Sequence, residues 1–186
     1  MRGYGTAYSE GGGAGWDTVQ GSVGARWKPI KDQNLIFETA YLFPVGQAAR
    51  QDWLLRVAYS KGEGTDLRVD VPHWRTWQIY ADYNYFAMSG QTVSSFEARY
   101  GESFRLDAIS NRLVLWPFLA IGGSYDNTVD TPFALGAGPG ATMRYWFRED
   151  EYTAPMSYLD LTLQYRFKLA GDDRAEGIFA GAFLSY

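Results

Sequence analysis

The sequence predicts an all-β fold: an antiparallel transmembrane β-barrel of a bacterial outer membrane, with about ten strands and twelve as the alternative count. Three observations lead there. Polar and apolar residues alternate with a period of two over runs of roughly nine to twelve residues, long enough to cross a bilayer at a tilt. Rings are abundant, with 7 Trp, 14 Tyr and 11 Phe beside 21 Gly, as aromatic girdles around a polar lumen require. The mean hydropathy is only -0.29, and no run of about 18 apolar residues exists to form a spanning helix.

Candidate strands lie at roughly 3–10, 15–28, 33–44, 50–61, 65–72, 75–88, 91–102, 111–124, 134–148, 156–170 and 176–186. The clearest is 158–169. Leu159, Leu161, Leu163, Tyr165, Phe167 and Leu169 share one face, and Asp160, Thr162, Gln164, Arg166 and Lys168 share the other. At helical spacing, charges would fall among leucines on every side; as a strand the run has one greasy and one charged face. In 16–28, Val19, Val23, Ala25 and Trp27 oppose Thr18, Gln20, Ser22 and Arg26. In 52–60, Trp53, Leu55, Val57 and Tyr59 oppose Arg56 and Ser60. In 77–85, Trp77, Ile79, Ala81, Tyr83 and Tyr85 oppose Gln78, Asp82 and Asn84. A soluble sandwich also alternates, but its strands are usually about five or six residues long. Here the apolar faces carry rings near their ends, such as Trp27, Phe43, Trp53, Phe147 and Tyr186, which suits a lipid slab with two interfaces.

A closed barrel in one chain needs an even number of strands. With the C-terminus in the periplasm, the strand near residue 15 starts there too. Residues 15–186 then form the barrel, and 1–14 are a periplasmic lead-in or a partial strand. Gly62-Glu63-Gly64 and Ser89-Gly90-Gln91 are tight-turn sequences. The outer loops fall at about 29–34, 61–65, 88–91, 124–133 and 170–176. The periplasmic connections 102–110 and 149–156 are not shorter than these, against the usual asymmetry. Met1-Arg2-Gly3-Tyr4-Gly5 is followed by no apolar stretch, so it is not a signal peptide. An outer-membrane protein needs one, and the chain is expected to be the C-terminal piece of a longer precursor.

Little chemistry is offered. Cysteine is absent, which removes disulfides, thiolate metal sites and Cys nucleophiles. A net charge of -4 leaves no basic field for nucleic acid. His73 is the only histidine, so any hydrolase must use it; Val71-Pro72-His73-Trp74 reads instead as an interfacial turn. Asp126-Asn127 with Asp130 lacks the glycine and terminal Glu of a calcium loop. Gly136, Gly138 and Gly140 are followed by no Lys-Ser/Thr and no helix, and read as bends or close-packing positions. The expectation is no enzyme, no metal and no cofactor. The inward faces instead hold charges of both signs: Arg26, Glu38, Arg56, Arg68, Asp70, Asp82, Glu97, Arg99, Arg144, Asp160, Arg166 and Lys168. Ions in a low-dielectric wall must be paired or wet. They form either a paired network that plugs the lumen or a polar lining that passes a hydrated glycan or ion.

The last strand alternates Ile178, Ala180, Ala182, Leu184 and Tyr186, with Gly181 inside. It resembles the signal read by the barrel-assembly machinery, which ends in an aromatic and carries a glycine at the place of Gly181. Phe179 stands where a polar residue is usual, and Leu184 replaces a second aromatic.

A wider resemblance rests on Arg144-Tyr145-Trp146-Phe147-Arg148-Glu149-Asp150, Ala154-Pro155, the run 157–167, and Gly171-Asp172-Asp173-Arg174-Ala175. Upstream, Arg26-Trp27-Lys28-Pro29, Asp52-Trp53-Leu54-Leu55-Arg56 and Asp66-Leu67-Arg68-Val69-Asp70, with Trp74 and Trp77, extend it over most of the chain. Together they resemble the C-terminal domain of the bacteriophage N4 adsorption protein A (NfrA) family. The resemblance implies an outer-membrane phage receptor that meets a phage tail protein. It implies a preceding periplasmic region of helical repeats, an inner-membrane glycosyltransferase partner, and a part in exporting a surface polysaccharide. It carries over no binding residues. The competing readings are a closed structural anchor and an outer-membrane hydrolase using His73.

Overall fold

The computed structural model describes residues 2–8, 19–148 and 157–185, with backbone alone for 2–8 and 148. Among them are ten strands: β1 (Arg2–Tyr8), β2 (Gln20–Trp27), β3 (Asn34–Pro44), β4 (Asp52–Glu63), β5 (His73–Phe86), β6 (Thr92–Arg105), β7 (Leu113–Asp126), β8 (Phe133–Arg148), β9 (Ser157–Gly171) and β10 (Gly177–Ser185). They form one antiparallel sheet in the order of the sequence, β1 through β10. The ladder is open: β1 and β10 stand at its two edges among the described residues. A single 3₁₀ turn, Asp173–Ala175, joins β9 to β10.

Two expectations are corrected here. The run 65–72 is not a strand. Pro72 has no N–H for a ladder. The carbonyls of Gly64, Thr65 and Arg68 accept from the side chains of Trp74, Thr76, Arg144 and Arg105 instead. The candidate strand at 3–10 is present as β1, in register with β2 from Arg2↔Arg26 to Tyr8↔Gln20. Losing one strand in mid-chain changes the parity of everything before it. In a meander, successive connections alternate between strand ends. Connections 45–51, 87–91, 127–132 and 172–176 therefore share one end, and 28–33, 64–72 and 106–112 share the other. Loops 29–34 and 61–65 stand at the end opposite 88–91, 124–133 and 170–176, not beside them. The connection 149–156 and Tyr186 lie outside the described residues.

One face of the sheet leaves large apolar side chains exposed, while polar side chains are covered on the other. On β9 the apolar residues face outward, with Leu163 60% and Phe167 56% exposed, whereas Gln164 between them is 2% exposed. Trp53, Leu55 and Val57 on β4, Leu119 and Ile121 on β7, and Ile178 and Leu184 on β10 are exposed in the same way. Glu38, Asp52, Thr76, Ser103 and Thr142 are buried on the opposite face. Large apolar side chains left outside while polar ones are covered is the pattern that a hydrocarbon solvent selects.

By internal contacts the chain divides into two units. The first comprises Met1–Ser60, Tyr80–Ser95 and Tyr125–Pro132; the second comprises Lys61–Ile79, Phe96–Ser124 and Phe133–Tyr186. The second has an aromatic interior: Trp74, Val114 and Trp146 form one buried cluster, and Trp116, Phe118 and Ala120 another. Gly140 makes room for it, since a Cβ there would come within 2.6 Å of the Phe118 ring.

Candidate functional site

In the first unit, strand register builds a row of charges. Arg26 on β2 lies opposite Glu38 on β3, and Glu38 lies opposite Arg56 on β4. Arg26 reaches Glu38 at 2.8 Å and Arg56 lies 3.9 Å from it. Arg56 continues the row to Asp82 on β5 at 3.2 Å and donates to Tyr80 Oη at 2.7 Å. Ser95 on β6 donates to Asp82 at 2.7 Å. The signs alternate from strand to strand, so each carboxylate sits against a guanidinium and the buried charge is compensated.

The second unit holds two further groups. Glu97 on β6 pairs with both Arg99 on the same strand and Arg166 on β9. Arg99 also lies over the Phe118 ring, and Arg166 over Phe179. Arg144 on β8 is directly opposite Asp160 on β9 and grips it through Nε and Nη2, both at 2.6 Å. Its third nitrogen donates to Thr65 O at 2.5 Å. The guanidinium lies 3.9 Å from the Tyr158 ring centroid and 5.3 Å from that of Trp146. Thr142 and Thr162 pair across the same strands at 2.8 Å, and Thr76 on β5 pairs with Ser103 on β6 at 2.7 Å.

Three predicted members of the network, Arg68, Asp70 and Lys168, stand apart. Arg68 is exposed and pairs with its neighbour Asp70 at 2.6 Å. Lys168, near the end of β9, pairs with Asp173 at 2.5 Å. Gly181 and Leu184 are exposed on β10. His73 opens β5, is exposed, and stacks on Phe104 with 6.2 Å between ring centroids. Asp70 and Asp107 lie outside the strands, and hydrogen bonds from Arg68 and Arg105 hold their carboxyls below the usual aspartate range. A lowered carboxyl pKa contributes stability above its unfolded value and loses it as pH falls through the folded one. These clasps therefore act at neutral pH and release in acid.

The inward rings Trp74, Trp116, Phe118 and Trp146 escaped the reading by alternation. On β7, Leu113, Leu115, Leu119 and Ile121 face out while Val114, Trp116, Phe118 and Ala120 face in. With both faces apolar, the period-two contrast vanishes.

One connection end is knitted into a platform within the first unit. Asp52, 5% exposed, accepts from the N–H groups of Trp53 and Met88 at 2.7 Å and of Ser89 at 3.1 Å. Asn127 accepts from Thr92 N at 2.8 Å and donates to Gly90 O at 3.1 Å. Gln91 donates to Asp126. Val45, Met88 and Val129 stand exposed on these connections. Asp52→Ala strips three backbone donors of a charged acceptor and is expected to cost about 2–3 kcal/mol. Urea unfolding in detergent measures it, and Asp52→Glu should recover less than half, because the longer side chain misplaces the carboxylate.

A family model described as bacteriophage N adsorption protein A C-term matches residues 11–182. No curated protein and no solved structure matches the chain.

Proposed function

The chain belongs to the bacteriophage N adsorption protein A C-terminal family, and from that premise we propose that it is an outer-membrane β-barrel that serves as a phage receptor. The observation that carries the membrane reading is the exposure of the sheet: large apolar side chains such as Leu163, Phe167, Leu119 and Trp53 stand outside, while carboxylates and hydroxyls are covered beside an aromatic cluster. Closure joins β1 to β10, which removes the two free edges that a bilayer does not tolerate. An even number of strands returns the C-terminal end of β10 to the side on which β1 starts. With both in the periplasm, connections 45–51, 87–91, 127–132 and 172–176 face the medium. The phage tail meets the platform around Asp52, Gln91 and Asn127, where exposed Val45, Met88 and Val129 lie on backbone fixed by side-chain hydrogen bonds. The paired charges line or close the interior, and passage of a surface polysaccharide, supplied through an inner-membrane glycosyltransferase, is the second part of the reading. The aromatic interior of the second unit favours a closed anchor as the resting form.

Replacing 87–91 and 127–132 with Gly-Ser linkers of equal length is expected to lower phage adsorption to whole cells by roughly tenfold or more, an interface hot-spot loss of over 1.4 kcal/mol. Replacing 28–33 in the same way is expected to change nothing. Adsorption that survives the first replacement places the receptor surface elsewhere.

A further inference from the structure

The segment 64–72, between β4 and β5, does not project from the sheet as a free hairpin loop. It lies against the polar face of the second unit. Leu67 and Val71 pack on the buried cluster of Trp74, Val114 and Trp146. Asp66, Arg68, Val69 and Asp70 are exposed. The backbone is tied down at both ends and in the middle. Gly64 O accepts from Trp74 Nε1 at 2.7 Å and Thr76 Oγ1 at 2.9 Å. Thr65 O accepts from Arg144 at 2.5 Å, and Arg68 O from Arg105 at 3.1 Å. Arg105 N donates to Pro72 O at 2.9 Å. Beneath it a cavity of about 20 Å³ remains, lined by Thr65, Thr76, Ser103, Thr142, Arg144 and Trp146 among others. That is room for a water molecule or two and not for a sugar ring. Trp116 Nε1 and Trp146 Nε1 are buried without a hydrogen-bond partner among the described residues, and such donors are normally served by water.

The fastening is uneven. All five ties end on backbone carbonyls of the segment, and only Leu67 and Val71 contribute apolar packing. Segments with few apolar contacts and exposed side chains are the first to open. We propose that 64–72 is a hinged strap that closes one mouth of the barrel interior, latched by Arg144, and that its release opens a water-filled path past Trp74 and Trp146. This rests on the barrel reading above. In the orientation given there, the mouth is the periplasmic one. The strap is also the segment whose Leu67/Val69/Val71 alternation mimics a strand, but only Leu67 and Val71 seat on the cluster while Val69 is exposed.

The test is single-channel conductance in planar bilayers, run with the boiled and unboiled gel mobility of each protein. The full chain is compared with one whose residues 66–71 are replaced by a Gly-Ser sequence of equal length, and with Leu67→Asn/Val71→Asn. The full chain is expected to stay at baseline, and both variants to pass a steady current roughly tenfold or more above it, as expected when a constriction is relieved. Variants that resist SDS until heated but conduct no more than the full chain overturn the strap. A full chain that already conducts as they do overturns it as well. Loss of SDS resistance in both variants makes 64–72 part of the folded wall and equally rules out a hinged strap. A full chain with no heat-dependent shift fails earlier, at the barrel itself.

Discussion

Arg144→Ala is expected to lower the unfolding free energy by about 3–5 kcal/mol, the cost of leaving one member of a covered ion pair alone. The side chains of Arg144 and Asp160 are 12% and 14% exposed, so solvent does little to replace the lost partner. The substitution removes the two-point grip on Asp160, the donor to Thr65 O and the cation over Tyr158 at once. Arg144→Lys should recover only part of the loss, because an ammonium cannot make the forked contact. Removing the charge of Asp160 as well should cost less than the sum of the two single changes, with a coupling of about 0.5–3 kcal/mol. Arg68→Ala is the control. Its pair with Asp70 is 48% and 58% exposed, and such pairs contribute about 0–1 kcal/mol. Urea titrations of the parent protein and of each of these variants in detergent or lipid vesicles decide the matter. Equal small losses for Arg144 and Arg68 would mean that the second unit's interior is wet.

The second large effect concerns the outward face. Leu163 is 60% exposed, near the middle of β9, opposite Ala141 on β8 and Ala180 on β10. On a soluble sheet an exposed Leu→Arg change stays within about 0.5 kcal/mol. In a bilayer the same arginine at the midplane costs about 2–4 kcal/mol. Leu163→Arg is therefore expected to destabilise the protein by about 2–4 kcal/mol in vesicles. Leu169→Arg, near the end of the strand, should cost about 0–1 kcal/mol. The depth dependence is the diagnostic, because a packing defect would not follow distance from the strand centre.

Legibility in the sequence followed the contrast between the two faces of each strand. Where one face is charged and the other greasy, as in Asp160 to Lys168 against Leu159 to Leu169, period two identified both the strand and the covered face. The same contrast put Arg26, Glu38, Arg56 and Asp82 on one side, though only register shows that Arg26, Glu38 and Arg56 stand opposite one another. Where both faces are apolar, as in β7, the strand was visible but the inward rings were not. Alternation also misled: Leu67, Val69 and Val71 carry a strand-like pattern, yet side chains of Trp74, Thr76, Arg105 and Arg144 take up the carbonyls a ladder would need. Those partners are distant in sequence, so no local rule reveals them. The error shifted the assigned side of loops 29–34 and 61–65, because hairpin parity carries one mistake through every earlier connection. Asp52 was missed because it reads as an ordinary strand-start residue, while its role is set by N–H groups at 88 and 89.

The central claim is that β1 and β10 close the sheet into a barrel whose greasy face meets lipid, and boiled against unboiled mobility on SDS gels tests it most directly. A closed barrel keeps every backbone hydrogen bond internal and resists SDS until heated. The account predicts a chain that needs detergent to fold and a band that shifts on boiling. A chain that folds in buffer without detergent and migrates identically in both lanes would contradict it.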